Sequence, residues 1–315
     1  MDGLRCPACG GALTTDREAL VCDGGAGTEG GGAGCGARYP VVDGVPVLLD
    51  AATSVHTVAD VLAGRSAGFV PTRGPARRLL SRLTAPPSRN VAAVANYARL
   101  ATEARGLAPR PRVLVIGGGL GGDGIEALAG LDVLVTDVCF GPTTRLVCDA
   151  HRLPFADGTF HAVVAQAVLE HVLDPAACVA ELHRVLVPGG LVYAETPFMQ
   201  QVHGGAHDFT RYTALGHRRL FRRFDELAAG VCCGPGMALA WSVQYFLAAF
   251  AVGPTSKRLL RVQGTALTFA LPWLDPWLAT RPGGADAASG VWFLGRRSEA
   301  TLSDRALIEG YRGAG

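Results

Sequence analysis

From Arg112 onward, short apolar runs alternate with stretches of helical spacing, the pattern of a parallel sheet wound with crossover helices. Runs apolar at consecutive positions and bounded by Gly, Pro or Asp read as strands buried on both faces. Candidate strands are Val113–Ile116, Val133–Asp137, Arg145–Cys148, Ala162–Ala165 and Leu191–Glu195. Pro175–Leu186 reads as a helix, with proline in its first turn and Pro188-Gly189-Gly190 beyond its end. An arginine-rich helix over Thr213–Phe224, a strand over Leu227–Cys232 and a last strand over Val291–Leu294 complete the alternation.

Before Arg112 the pattern differs. Tyr39 to Pro46 reads as two short apolar strands around an Asp43-Gly44 turn. Arg77–Leu83 and Val91–Leu107 have helical spacing, separated by Pro86-Pro87. Met237–Ala251 is almost wholly apolar but shorter than the ~20 residues a spanning helix needs, so a buried core helix is expected, with membrane-surface contact as the alternative. Residues 252–290, rich in Pro, Trp and Gly, are expected to form a cap. The division is therefore 1–50, a cysteine module; 51–110, a helical linker; 111–300, the α/β domain, with its cap at about 235–290; and 301–315, a tail.

Composition narrows the function classes. Nearly half of the 315 residues are apolar and 18% are charged, enough for a substantial core. A net charge of +2 gives no reason to expect a nucleic-acid partner. No basic and apolar leader opens the sequence, and four of nine cysteines crowd the first 35 residues. That combination favours a metal over disulfides and a cytoplasmic location.

After the first strand comes Gly117-Gly118-Gly119-Leu120-Gly121-Gly122. Such a turn lets backbone approach a ligand closely, and it also satisfies the dinucleotide fingerprint. Asp137 ends the second strand, where a carboxylate can accept both ribose hydroxyl protons of NAD or of S-adenosylmethionine. Asp149 follows the third strand, placed to accept from an adenine amino group while an apolar neighbour packs the ring.

The run Asp149-Ala150-His151-Arg152-Leu153-Pro154-Phe155, then Asp157–His161, Glu170-His171-Val172 and Pro188-Gly189-Gly190, resembles the class I methyltransferases of the small-molecule "type 11" group over about residues 111–225. The resemblance implies a Rossmann-like, doubly wound, mostly parallel α/β sheet and S-adenosylmethionine as cofactor. It assigns Gly117, Gly119 and Gly121 to the methionine moiety, Asp137 to the ribose, Asp149 and Ala150 to adenine, and Gln166 to the wall beside the sulfonium. Three positions depart from the family: Val115 replaces an acidic residue, Gly118 a cysteine and His161 an aspartate. An NAD-dependent oxidoreductase would use the same glycines, but this sequence has no Tyr-x-x-x-Lys pair and Asp149 and Pro188-Gly189-Gly190 would go unexplained; the departures also prompt a third reading, a catalytically silent scaffold.

Cys6-Pro-Ala-Cys9 is a zinc-knuckle spacing, and Cys22 with Cys35 would complete a tetrahedral Cys₄ site. Four thiolates leave no open position, so zinc there would be structural. With Tyr39-Pro-Val-Val-Asp-Gly-Val-Pro46, the module resembles the small zinc-ribbon activator subunits of tRNA, rRNA and release-factor methyltransferases. That implies an N-terminal zinc ribbon fused to its enzyme, with an RNA or protein acceptor as the alternative. The arginines of Arg218–Arg223 are the main support for RNA.

After strand five come His203, His207 and Asp208, in the loops where substrates of parallel sheets sit. His203 and His207 are candidate bases for a hydroxyl or amine acceptor, Asp208 an orienting group and His171 a further candidate. The C-terminal part resembles methyltransferases of bacterial polysaccharide and natural-product pathways, implying O-methylation of a sugar or other small acceptor.

Overall fold

A computed structural model describes residues 3–23, 35–64 and 89–314, and the following concerns those residues. The expected helix Arg77–Leu83 and most of the glycine-rich loop after Asp23 lie outside them. The N-terminal strands are β1 (Leu13–Asp16), β2 (Ala19–Cys22), β3 (Arg38–Val42) and β4 (Val45–Leu48). Helices α1 (Val58–Leu62) and α2 (Ala93–Arg105) follow, then β5 (Arg112–Ile116), β6 (Asp132–Asp137), β7 (Leu146–Cys148) and β8 (Phe160–Gln166). Next are α3 (Pro175–Val185), β9 (Leu186–Pro197), α4 (Ala214–Leu220), β10 (Phe224–Cys233) and α5 (Pro235–Ala248). Helices α6 (Pro254–Thr268), α7 (Asp275–Leu278) and α8 (Pro282–Asp286), strand β11 (Gly290–Arg297) and α9 (Asp304–Glu309) complete the chain.

The strands run in the order β1-β2-β3-β4-β7-β6-β5-β8-β9-β11-β10. From β4 to β9 neighbours are parallel, while β11 and β10 close the far edge antiparallel. The N-terminal hairpins thus join the central sheet directly, through Val47 opposite Val147 and Leu48 opposite Cys148. Successive side chains of a strand point to opposite faces. Val113, Val115, Ala162 and Val164 accordingly share one apolar cluster with Tyr97 and Leu100 of α2. Leu114, Ile116, Val163 and Ala165 share another with Cys178 and Leu182 of α3, and with Cys6, Leu20, Cys22 and Tyr39 of the cysteine module. Truncating Leu114 or Leu182 to alanine would cost about 2–5 kcal/mol.

Helix α3 starts where expected, with Asp174 Oδ1 accepting from the N–H groups of Ala176 and Ala177 at 3.0 Å. It ends one residue early, because the chain enters β9 at Leu186, which pairs with Phe160. The alternation is incomplete between β5 and β6, where the short crossover carries only a 3-10 turn, Ile125–Leu128. Thr213 caps α4, its hydroxyl accepting from Gly216 N at 3.0 Å, and the helix ends at Leu220 as Phe221 and Phe224 turn inward. Helix α2, read from sequence as part of a linker, instead covers one face of the sheet.

The expectation of a core helix at Met237–Ala251 is corrected. Helix α5 packs on α6 and on the turn Leu271–Leu274, burying Met237, Ala240 and Gln244. Its other side leaves Leu239, Phe246 and, just beyond its end, Phe250 exposed. An all-apolar sequence does not say which side finds a partner. No helix among the described residues is long and apolar enough to cross a membrane.

Candidate active site

A cleft of about 290 Å³ opens at the carboxyl ends of β5, β6 and β7 and holds Gly117, Gly121, Asp137, Asp149, Ala150 and Gln166 in its walls. Two glycines are dictated by this geometry. Gly117 has φ +65°, and a Cβ there would lie 2.4 Å from Val168 Cγ2. A Cβ on Gly119 would lie 2.7 Å from Asp137 Oδ2, where the Gly119 N–H donates to that oxygen at 2.9 Å. The other Asp137 oxygen accepts from Cys139 N at 3.3 Å and Cys139 Sγ at 3.4 Å, so Oδ2 is the oxygen with capacity for a further hydroxyl donor.

Asp149 is buried and shared. Its Oδ1 accepts from His151 N at 3.0 Å and faces His151 Nδ1 at 2.6 Å, while Ser54 Oγ donates to Oδ2 at 2.6 Å. Burial alone would raise this carboxyl, but the bonds from His151 and Ser54 outweigh it and hold it at about 2. Asp149 pulls His151 upward in turn. His151 Nε2 accepts from Asp174 N at 3.0 Å, which favours the neutral ring with its proton on Nδ1. Ser54 and His56 come from the segment following β4, and His56 lines the same cleft.

Gln166 stands between this cleft and a second one of about 340 Å³, which is lined by Asn90, Glu170, Glu195, Gln200 and His203. Gln166 Oε1 accepts from Tyr97 OH at 3.2 Å and its Nε2 donates to Glu195 Oε2 at 3.0 Å. Glu195 also accepts from Asn90 Nδ2, at 2.8 and 3.0 Å, and from Tyr193 OH. Burial raises the Glu195 carboxyl, although these donors oppose it. The second cleft is therefore more polar than the first, with carboxylates beside apolar residues such as Pro197 and Met237.

Of the four sequence candidates for proton chemistry, His171, His203 and Asp208 come together and the His207 ring does not. His171 and His203 meet edge to face, with ring centroids 4.9 Å apart, beside Glu170. Asp208 accepts from His203 N at 2.7 Å and Gly204 N at 3.1 Å and pairs with Arg211. Burial would raise it, but Arg211 and those N–H groups hold it well below the usual carboxylate range. His207 turns away: its ring stacks on His56 at 5.5 Å, at the cofactor-side cleft. Glu170 and Glu195 are not singled out by the sequence, although Glu170 lies within the Glu-His-Val run.

The four N-terminal cysteines are free thiols whose sulfurs all lie within 4.8 Å of one another. Cys6 and Cys35 are 3.6 Å apart and Cys9 and Cys22 3.4 Å apart. Thiolates on a tetrahedral zinc at ~2.3 Å stand ~3.8 Å apart, whereas a disulfide needs ~2.05 Å. The donor set therefore fits a Cys₄ metal site. The arginines of α4 are engaged within the chain: Arg218 pairs with Glu226 at 3.0 Å and Arg219 with Asp304 at 3.0 Å. His161 Nδ1 accepts from Arg112 N at 3.1 Å, tying β8 to β5.

Residues 116–194 match a family model described as a methyltransferase domain. A demethylmenaquinone methyltransferase of Renibacterium salmoninarum is 39% identical over 111 residues, covering 31% of this chain and 47% of that protein. A ubiquinone/menaquinone biosynthesis C-methyltransferase of Desulfotalea psychrophila is 54% identical over 44 residues, covering 14% of this chain and 18% of that protein. The chain thus spans less than half the length of these curated relatives. Among solved structures, a geranyl diphosphate C-methyltransferase from Streptomyces coelicolor, crystallised with S-adenosyl-L-homocysteine, is 16% identical with a TM-score of 0.40, covering 64% of this chain and 76% of that one. Residues 116–194, which supply β8, α3, most of β9 and the cleft residues from Gly117 to Gln166, are on this match a methyltransferase domain.

Proposed function

We propose that the protein is an S-adenosylmethionine-dependent methyltransferase acting on a hydroxyl of a small polar acceptor, such as a sugar or natural-product intermediate. The observation that carries the acceptor class is the second cleft, whose Glu170, Glu195, Gln200, Asn90 and His203 suit a polyol better than an isoprenoid quinone. The match over residues 116–194 supports the reaction class.

When bound, S-adenosylmethionine supplies a methyl group already activated by the sulfonium. The backbone at Gly117, Gly119 and Gly121 would take its methionine end, Asp137 the ribose, and Asp149 with Ala150 the adenine. Gln166, fixed by Tyr97 and Glu195, would form the wall between cofactor and acceptor. Positioning contributes much of the rate in such an in-line transfer. A hydroxyl acceptor must also lose its proton, and Glu170 and His203, which line the acceptor cleft beside His171, would receive it. Asp208 and Arg211 would hold the His203 loop in place. Cys6, Cys9, Cys22 and Cys35 would hold a structural zinc.

The C-terminal helices support work at an anionic membrane surface. Phe246, Phe250, Leu259, Phe269, Trp273 and Trp277 are all exposed on this part of the chain. Residues 227–274 contain Lys257, Arg258 and Arg261 but no acidic residue. Exposed aromatics on a segment that also carries Lys257, Arg258 and Arg261 match the apolar boundary and charge of an anionic bilayer.

The test is transfer of a labelled methyl group to hydroxylated sugars and natural-product intermediates, to demethylated quinones and to RNA. Transfer to the hydroxylated acceptors is expected. Transfer confined to a quinone carbon or to RNA would overturn the acceptor assignment, and stabilisation by NADH but not S-adenosylhomocysteine would overturn the reaction class.

A further inference from the structure

We propose that Glu170, His171 and His203 together hold a divalent cation at the junction of the two clefts. His171 lines the cofactor-side cleft, while Glu170 and His203 line the acceptor cleft. Their ligand atoms all lie within 4.8 Å of one another. His171 Nε2 is 3.6 Å and His203 Nε2 3.8 Å from the same oxygen, Glu170 Oε1.

The hydrogen-bond pattern makes this more than proximity. The Glu170 side chain is 1% exposed, and neither carboxylate oxygen has a hydrogen-bond partner among the described residues. A buried carboxylate without donors is costly unless a positive charge sits beside it. Both histidines are oriented from behind. His171 Nδ1 is 2.7 Å from the His207 carbonyl, which fixes the proton on Nδ1 and leaves the Nε2 lone pair facing Glu170. His203 Nδ1 lies 3.3 Å from the Gln201 carbonyl and 3.5 Å from Asp208 Oδ2, two acceptors that favour the same tautomer. The Arg211 guanidinium is also 3.4 Å from that nitrogen, but it is committed to Asp208. Two ring nitrogens and a buried carboxylate thus converge on one point, where a cation would supply the partner that the Glu170 oxygens lack.

Bonds of ~2.1 Å to nitrogen and oxygen bring neighbouring ligands to ~3.0–3.4 Å, so the two histidine–carboxylate separations of 3.6 and 3.8 Å need to contract by only a few tenths of an ångström. Two imidazoles and one carboxylate suit Mn²⁺, Fe²⁺, Co²⁺ or Zn²⁺ and leave positions open for an acceptor oxygen. This inference rests on the methyltransferase reading for its role: the cation would bind the acceptor hydroxyl and make it acidic, with the proton passing to water in the cleft. His203 is then a ligand rather than the proton acceptor, and the proton leaves the metal-bound hydroxyl to water.

Manganese tests the site without interference from the cysteine module, because thiolates discriminate against so hard an ion. Full-length protein is freed of accessible metal and titrated with Mn²⁺, the free ion being followed by its electron paramagnetic resonance signal. One ion bound per chain at sub-millimolar concentration is expected, with at least about 10-fold weaker binding in Glu170→Gln and His203→Asn. No binding by the wild-type protein, as when Glu170 and His203 merely share a proton, would overturn the proposal; so would wild-type affinity in a folded Glu170→Gln variant. S-adenosylhomocysteine is titrated into the same samples. Its failure to bind while manganese is held counts against the methyltransferase reading and leaves the metal site standing.

Discussion

Replacing His217 by leucine removes an ionisable group from the interior of the C-terminal half. His217 is 2% exposed, lies edge to face on Phe221 with ring centroids 5.0 Å apart, and its Nε2 has no hydrogen-bond partner among the described residues. Burial pushes its imidazole down from 6.5 to about 3. The folded state therefore refuses a proton that the unfolded chain accepts. The associated stability is complete above the unfolded value of 6.5, declines as pH falls below it and reaches its floor near 3. Between those two values each pH step of one is worth about 1.4 kcal/mol, so lowering the pH from about 7 to about 5 costs about 2 kcal/mol through this residue alone. Urea unfolding of the wild type and His217→Leu at several pH values reads the effect as the difference between the two proteins, which cancels the other titrating groups. The wild type should lose about 2 kcal/mol more than the variant over that interval. An equal loss in both would refute the reasoning and mean that water or an unrecognised partner reaches the imidazole.

Three further outcomes are expected. Asp137→Ala should weaken S-adenosylhomocysteine binding about 10-fold or more, through loss of charged hydrogen bonds worth about 1.5–3 kcal/mol each, and Gly119→Ala should weaken it too by forcing Asp137 aside. Thermal-shift titration checks both variants, and unchanged affinity in Asp137→Ala would remove that residue from the site. Chelating the metal proposed for the cysteine module, or introducing Cys9→Ser, should lower the melting temperature and reduce S-adenosylhomocysteine affinity together; zinc content and calorimetry test this, and a stable, zinc-free wild type would exclude the metal. Sedimentation with vesicles should show binding to phosphatidylglycerol-containing but not purely zwitterionic membranes, weakened in a Phe250→Ser/Trp273→Ser double variant; self-association through this face, with no vesicle binding, would contradict the membrane assignment.

The parts of the site that are legible in the sequence are those in which short-range order dictates position. Gly117, Gly119, Asp137 and Asp149 sit at the ends of strands whose apolar runs are unmistakable, so their convergence follows from parallel pairing alone. The Gln166–Glu195–Asn90–Tyr97 network is illegible there because it depends on lateral neighbours. β8 pairs with β9 so that Gln166 meets Glu195, while the turn before α2 brings Asn90 across 105 positions of sequence. Apolar periodicity carries no information about such polar meetings. The exposed side of α5 escapes a sequence reading for a related reason: hydropathy records how much surface is apolar, not whether α6 covers it.

The cysteine module changes meaning once its place in the sheet is known. A resemblance to activator subunits, as expected from the sequence, would call for a surface that recruits a macromolecule, yet Cys6, Leu20, Cys22 and Tyr39 are spent inward, in the same apolar cluster as Leu114 and Phe160. β4 then extends the central sheet beside β7, the strand that carries Asp149 just past its end. Six residues after β4, Ser54 donates to Asp149, and two residues further His56 enters the cofactor-side cleft. Arg152, also beyond β7, reaches back to the Ala8 carbonyl at 3.0 Å, beside Cys9. Order at the cysteines and order at the cofactor-side cleft are therefore linked through contacts at both ends of the module. A structural metal here would act on the cleft through the chain itself, by holding β4 and the segment behind it in register with β7, and that role requires no partner molecule.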